Sequence, residues 1–294
     1  MTRRMLLALF ALLGLFAPMA AQAKGFVSDR ISVTVQGKGP DVILIPGLTS
    51  SPAAWKYAVP AVPGYRYHLV QVMGFAGTAP EGNAKGDLLA GVTAEIARYV
   101  AEAKLKRPAV IGHSMGGTIA LMIGARHPAA IARLMVVDQV PFMGMMFGPP
   151  GSTGETIRPT ADAILTQMRA NSTEAREKSI GAMTGAMVKT DAERPAVVKS
   201  ALDSDRAVTE NTFHELIVTD LRPELARIAV PAEVLYVTPA GTPFTDAQID
   251  AAYQASYAGL KGARLVRVPN SAHFIMYDNP IAFHAAMKAF LSGN

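Results

Sequence analysis

The run Gly112-His113-Ser114-Met115-Gly116-Gly117 follows the apolar residues Ala109-Val110-Ile111 and precedes a helix-like pattern over 118–127. A short apolar, partly β-branched strand that turns at once into a helix leaves the chain few options. The serine sits on a strained turn with its hydroxyl lifted clear of a sheet edge. Glycine two positions to either side lets the flanking elements pass too close for a Cβ. The motif therefore demands a strand–turn–helix unit and makes Ser114 the candidate nucleophile. The bland alternative is a tight turn carrying an idle serine.

The rest of the chain supplies the sheet that such a turn needs. Residues 31–35 alternate and read as an edge strand, followed by a turn at Gly37-Lys38-Gly39-Pro40. Asp41-Val42-Ile43-Leu44-Ile45 is continuously apolar after its first residue, as in a strand buried on both faces of a parallel sheet. Further strands are expected over 67–72, 134–137, 232–237 and 264–268. Helices are expected over 88–103, 246–259 and 281–291. Strands alternating with helices imply right-handed crossovers and an α/β sandwich. The rhythm breaks at Pro141, after which no buried strand is expected until about residue 222. Helical segments are expected near 161–170, 175–188 and 208–218. The expected division is a core of 24–140 and 223–294, with 141–222 forming a helical lid over the strands' carboxyl ends, where open α/β sheets bind ligands.

Residues 1–23 read as a signal peptide rather than as fold: Arg3 and Arg4 are followed by an apolar stretch over 5–17 and by Ala21-Gln22-Ala23. About 13 apolar residues are few for a bilayer span. The expectation is an exported, periplasmic or secreted protein, cleaved near Ala23 and without stable membrane insertion afterwards. The chain has no cysteine, so a disulfide and a lipid-modified cysteine are both excluded. Its formal charge of +5 loses two units with Arg3 and Arg4, and no basic cluster suggests a nucleic-acid partner.

A serine hydroxyl needs a base within hydrogen-bond reach. His273 lies in the loop between the last strand and the last helix, where the chain order serine, acid, histidine delivers its base. His113 is expected to point away across the turn, His127 to end a helix, and His68 and His284 to serve packing. His214 is expected in the lid, where it could face the pocket. Asp138, at the carboxyl end of the strand after the elbow helix, is the preferred acid. Asp246 is the alternative, although Thr245-Asp246-Ala247-Gln248 also fits a capping box. Asp278 reads as a helix-start residue beside Asn279-Pro280. The backbone N–H groups of Leu48 and Met115 are the expected oxyanion donors. Gly47 would let the chain approach substrate, and Trp55 would anchor the core. Met143, Met145 and Met146 are the favoured pocket-lining residues, flexible enough for varied apolar acyl chains.

Pro46-Gly47-Leu48, Gly112 to Gly117 and His273-Phe274 together resemble the α/β-hydrolase superfamily, specifically its lidded serine esterase and lactonase-like branch, over residues 40–292. The resemblance implies an α/β-hydrolase fold: a mostly parallel central sheet flanked by helices, with a helical lid after the strand that follows the nucleophile-elbow helix. It also implies a Ser–His–acid triad, a two-amide oxyanion hole and no cofactor or metal. Two departures stand out. Pro46-Gly47 replaces the usual His-Gly, and the usual aspartate after the penultimate strand is missing. Some members, haloalkane dehalogenases among them, carry the acid where Asp138 stands. A serine at 114, where dehalogenases and epoxide hydrolases carry aspartate, argues against those chemistries. The expected reaction is hydrolysis of a small carboxylic ester or lactone through an acyl-enzyme. The alternatives are C–C bond hydrolysis, with Arg158, Arg169 or Arg176 gripping a carboxylate, and a low-turnover binding protein.

Overall fold

The computed structural model describes residues 21–22 and 25–293. The remaining residues, and with them most of the expected signal and its cleavage point at Ala23, lie outside the described residues.

The described strands are β1 (Ala21–Gln22), β2 (Ile31–Gly37), β3 (Asp41–Ile45), β4 (Arg66–Val72), β5 (Ala109–His113), β6 (Arg133–Val137), β7 (Ala232–Tyr236) and β8 (Arg264–Arg267). They form one sheet in the order β1-β2-β4-β3-β5-β6-β7-β8. The pairs β1–β2 and β2–β4 are antiparallel, and every later pair is parallel. The helices are α1 (Ala58–Ala61), α2 (Leu88–Glu102), α3 (Met115–Arg126), α4 (Arg158–Ala170), α5 (Thr173–Met187), α6 (Arg194–Asp203), α7 (Arg206–Val218), α8 (Asp246–Ser256), α9 (Ile275–Asp278) and α10 (Pro280–Ser292).

Side chains along a strand alternate between faces, so each central strand feeds two cores. Ile43 and Ile45 enter a cluster with α2 and α3, whereas Val42 and Leu44 enter another with Trp55 and α10. Helix α2 buries Leu88, Val92, Ile96 and Tyr99, the 3–4 spacing of an amphipathic face. Helix α3 is buried on all sides except at Arg126, as its nearly unbroken apolar sequence requires. Trp55 is fully buried and stacks on Phe283.

Between β6 and β7 the described chain is helical. Helix α4 packs on α7 and α5 on α6, and Phe142, Ile157, Ala161 and Ile217 form a small core of their own. Several elements depart from the sequence expectations, the short helix α1 among them. Helix α6 lacks a continuous apolar stripe; Pro195 in its first turn and packing on α5 carry it instead. The single turn α9 separates the last strand from the last helix. Strand β2, expected at the edge, is flanked by the two-residue β1 (Ala21 opposite Val35).

Candidate active site

The parallel register gathers distant residues at one edge. Ile45 lies opposite Gly112, and His113 lies opposite Val137. The ladder continues one residue further, with Ser114 N–H donating to Val137 O at 2.9 Å and Asp138 N–H to Leu235 O at 2.7 Å. The loop after β3, Ser114 after β5 and Asp138 after β6 thus share the carboxyl edge of adjacent strands.

Ser114 holds φ 53° and ψ −121°, and Asp138 holds φ 51°. A positive φ at a non-glycine residue costs on the order of 1–3 kcal/mol and persists only where the surroundings over-determine it. The glycines explain how. A Cβ on Gly112 would collide with the Gly116 carbonyl, and one on Gly116 with the Ile45 carbonyl. A Cβ on Gly47 would lie 3.1 Å from both His113 Nδ1 and Ser114 Cβ. Gly47 thus makes room for the elbow itself.

Asp138 and His273 meet: Nδ1 of His273 lies 2.6 Å from Asp138 Oδ2. The other oxygen of Asp138 accepts from Val237 N–H at 3.1 Å and Tyr253 O–H at 3.3 Å. Tyr253 stacks on Tyr236 and on Tyr257, whose hydroxyl donates to Gln139 O. Burial, then the nearby Asp138 charge, pushes both the Tyr253 and Tyr257 phenols well above their ordinary range, so both stay neutral donors. The Tyr253–Tyr257 pair at i, i+4, assigned no role from sequence alone, is the sequence signal of this tyrosine stack.

Asp246 has other work. It accepts from Thr238 O–H at 2.6 Å, pairs with Arg267 at 2.6 Å and occupies the first turn of α8, which begins with the expected capping box at Thr245.

His113 corrects an expectation. Its ring packs against the His273 ring rather than pointing away, with centroids 4.6 Å apart, and Nε2 lies 3.0 Å from the His273 carbonyl. Burial, with the neighbouring His273 adding to it, holds the His113 pKa well below 6.5. The ring is therefore neutral and donates through Nε2, leaving Nδ1 buried without a partner. His68 is a buried strand residue held by Tyr99 and Asp41, and His214 Nε2 lies 2.7 Å from Asp162 Oδ1. Asp278 is a second correction: Asn279 caps α10, whereas the Asp278 carboxylate accepts from the backbone at Lys189, Thr190 and Ala272.

Neither Leu48 N–H nor Met115 N–H donates a hydrogen bond among the described residues, and Met115 opens α3, where amides lack intrahelical acceptors. Met143 packs between the core and the insertion, but Met145 lies against Ser256 of α8 and Met146 is 69% exposed. Of the three, Met143 alone joins apolar clusters on both sides. Arg169 is tied to Asn211, and Arg176 to the Ala201 carbonyl. A cleft of about 520 Å³ lies at the opposite, amino-terminal edge, lined by Arg66, Lys104, Arg107 and Arg133, far from this chemistry. Among the described residues no group of three or more histidine, aspartate or glutamate side chains is gathered as a metal-ligand set.

The profile of the Alpha/beta hydrolase family matches residues 42–286. A pimeloyl-[acyl-carrier protein] methyl ester esterase of Aeromonas hydrophila subsp. hydrophila is 30% identical over 213 residues, which are 68% of this chain and 77% of the relative. An esterase from Exiguobacterium antarcticum superposes with a TM-score of 0.74 at 19% identity, covering 93% of this chain and all of the other. The enol-lactonase from Burkholderia xenovorans LB400 gives 0.70 at 21% identity, over 89% and 96% of the two chains.

Proposed function

Because this chain belongs to the alpha/beta hydrolase family and is a carboxylic ester hydrolase, we propose that Ser114, His273 and Asp138 form its catalytic triad. The 2.6 Å contact between Asp138 and His273, beside a serine on a strained elbow, carries this reading. Asp138 accepts from Nδ1, which leaves the Nε2 lone pair to take the Ser114 proton as the hydroxyl attacks the ester carbon. The Nε2–Oγ hydrogen bond, not made among the described residues, closes as substrate binds. Oxyanion charge then develops beside the Leu48 and Met115 amides, at the positive end of α3. Imidazolium gives its proton to the departing alkoxide. Water, activated by the same imidazole, releases the acid and restores Ser114.

The substrate is a small ester or lactone. Met143, wedged between core and insertion, supports an apolar acyl part, with the insertion over residues 141–222 acting as a lid. Export is part of the proposal and rests on Arg3, Arg4, the apolar run over 5–17 and Ala21-Gln22-Ala23. No helix among the described residues is long and apolar enough to cross a membrane.

Hydrolysis of p-nitrophenyl esters from acetate to palmitate, and of methyl esters of dicarboxylic acids, tests the reading beside Ser114→Ala. Turnover should vanish into background in the variant. Equal turnover in the two proteins would overturn the triad.

A further inference from the structure

Asp278 has no place in the mechanism above, yet its carboxylate accepts four hydrogen bonds. Oδ1 takes the N–H of Lys189, the N–H of Thr190 and the Thr190 hydroxyl, each at 2.9 Å. Oδ2 takes the N–H of Ala272, also at 2.9 Å. Ala272 directly precedes His273, and on the other side Phe274 N–H donates to Met187 O at 3.2 Å. The chain leaving α5 is therefore fastened to both neighbours of His273, and its Val188 is fully buried in the core cluster that holds Phe274. His113 holds the His273 carbonyl at 3.0 Å.

Two backbone segments more than eighty residues apart thus meet on one side chain. A packing role for Asp278 needs one partner at most. Here the single turn α9 carries it back to the loop, where its two oxygens divide between the insertion and Ala272, the residue before the histidine. A carboxylate accepting several N–H bonds is a stiff fixture, because each bond restricts the same two oxygens.

We propose that Asp278 is a positioning residue: it clamps the insertion at 187–190 to the loop at 271–274, so that the placement of His273 depends on the insertion being seated. The inference rests on the reading of His273 as the general base. The histidine is set from its backbone by this clamp and from its side chain by Asp138.

Asp278→Asn keeps an oxygen for one segment but presents an N–H₂ donor to the other. It should lower kcat by about 10- to 100-fold on the best p-nitrophenyl ester and leave KM within about twofold, as misorientation of a catalytic group does. Inactivation by a fluorophosphonate should slow in parallel while still labelling every molecule. Thr190→Val, which removes only the hydroxyl, should stay within about threefold of wild type. Unchanged kcat per labelled site in Asp278→Asn, with or without a lower melting temperature, would overturn the clamp and leave the triad standing. A wild type that neither hydrolyses esters nor takes the label would overturn both. Hydrogen exchange of the wild-type protein decides the matter if Asp278→Asn does not fold. Amides 189, 190 and 272 should be protected and should open together; free exchange at either segment overturns the proposal.

Discussion

At the scale of single residues, the site depends on side chains whose neighbours leave no slack. Asp138 is the carboxylate that meets the His273 imidazole among the described residues, so on the proposed triad Asp138→Asn should cost about 10³- to 10⁴-fold in kcat by favouring the wrong tautomer. Asp246→Asn should change kcat by less than about threefold, because Asp246 serves Thr238 and Arg267. Steady-state kinetics of the pair checks both, and the reverse ranking would transfer the acid to Asp246. Gly47 offers a second test. A methyl group there would meet His113 Nδ1 and Ser114 Cβ at 3.1 Å, tighter than ordinary packing. On the proposed triad, Gly47→Ala should therefore lower kcat by about tenfold with little change in KM, since a small displacement of Ser114 is amplified in rate. An alanine variant with wild-type kcat would show that the elbow yields at no cost.

At the scale of elements, the insertion is two helical pairs joined at the α4–α5 turn. Arg206, at the start of α7, donates to the carbonyls of Met168, Arg169 and Asn171 and pairs with Glu210. Those carbonyls end α4, where orphan acceptors and the negative end of the helix dipole favour a cation. Arg206→Met keeps much of the apolar stem but removes the donors. It should cost about 1 kcal/mol, or roughly 2–4 °C in melting temperature, the partial exposure of the pair keeping the figure low. A scanning calorimetry trace unchanged from wild type would mean that the pairs are held by their apolar contacts alone.

At the scale of the whole molecule, buried titratable groups set the response to pH. Burial lowers the pKa of His68 and His113 below 6.5, so as pH falls through 6.5 the unfolded chain protonates these rings before the folded protein does. Their contribution is complete above pH 6.5 and is lost as pH falls toward the depressed folded values, because the unfolded state then binds more protons. Urea unfolding should therefore give lower stability at pH 5 than at pH 7.5. Glu233 works in the opposite sense. Burial raises its pKa despite Arg264 at 3.3 Å, and one carboxylate oxygen has no partner. Glu233→Gln should raise the melting temperature at pH 7.5 by a few degrees, about 1 kcal/mol, and the gain should shrink in acid as the wild-type carboxyl takes up its proton. A loss of stability at pH 7.5 would mean that the Arg264 pair outweighs desolvation. Export has its own test: the amino terminus of protein recovered from the periplasm or medium should be Lys24. Such cleavage would also remove the Ala21–Gln22 pair from β2, leaving β2 as the sheet edge.

Much of this molecule is written locally. The strand–serine–helix turn, the continuous apolar strands and the 3–4 spacing of α2 each need only neighbouring residues, and residues 41–45 match β3 without a shift. Which groups Asp138 and Asp246 meet could not be read that way, because both end a strand or open a helix in sequence. Parallel register brings residue 138 to a histidine 135 positions away and leaves Asp246 to an arginine. The same holds for His113 against His273, for the tyrosines behind Asp138 and for Asp278 between two segments. Periodicity records which face of an element is buried, whereas the partner a polar group meets there is set by how the elements pack, and that pairing was decided by the tertiary structure alone.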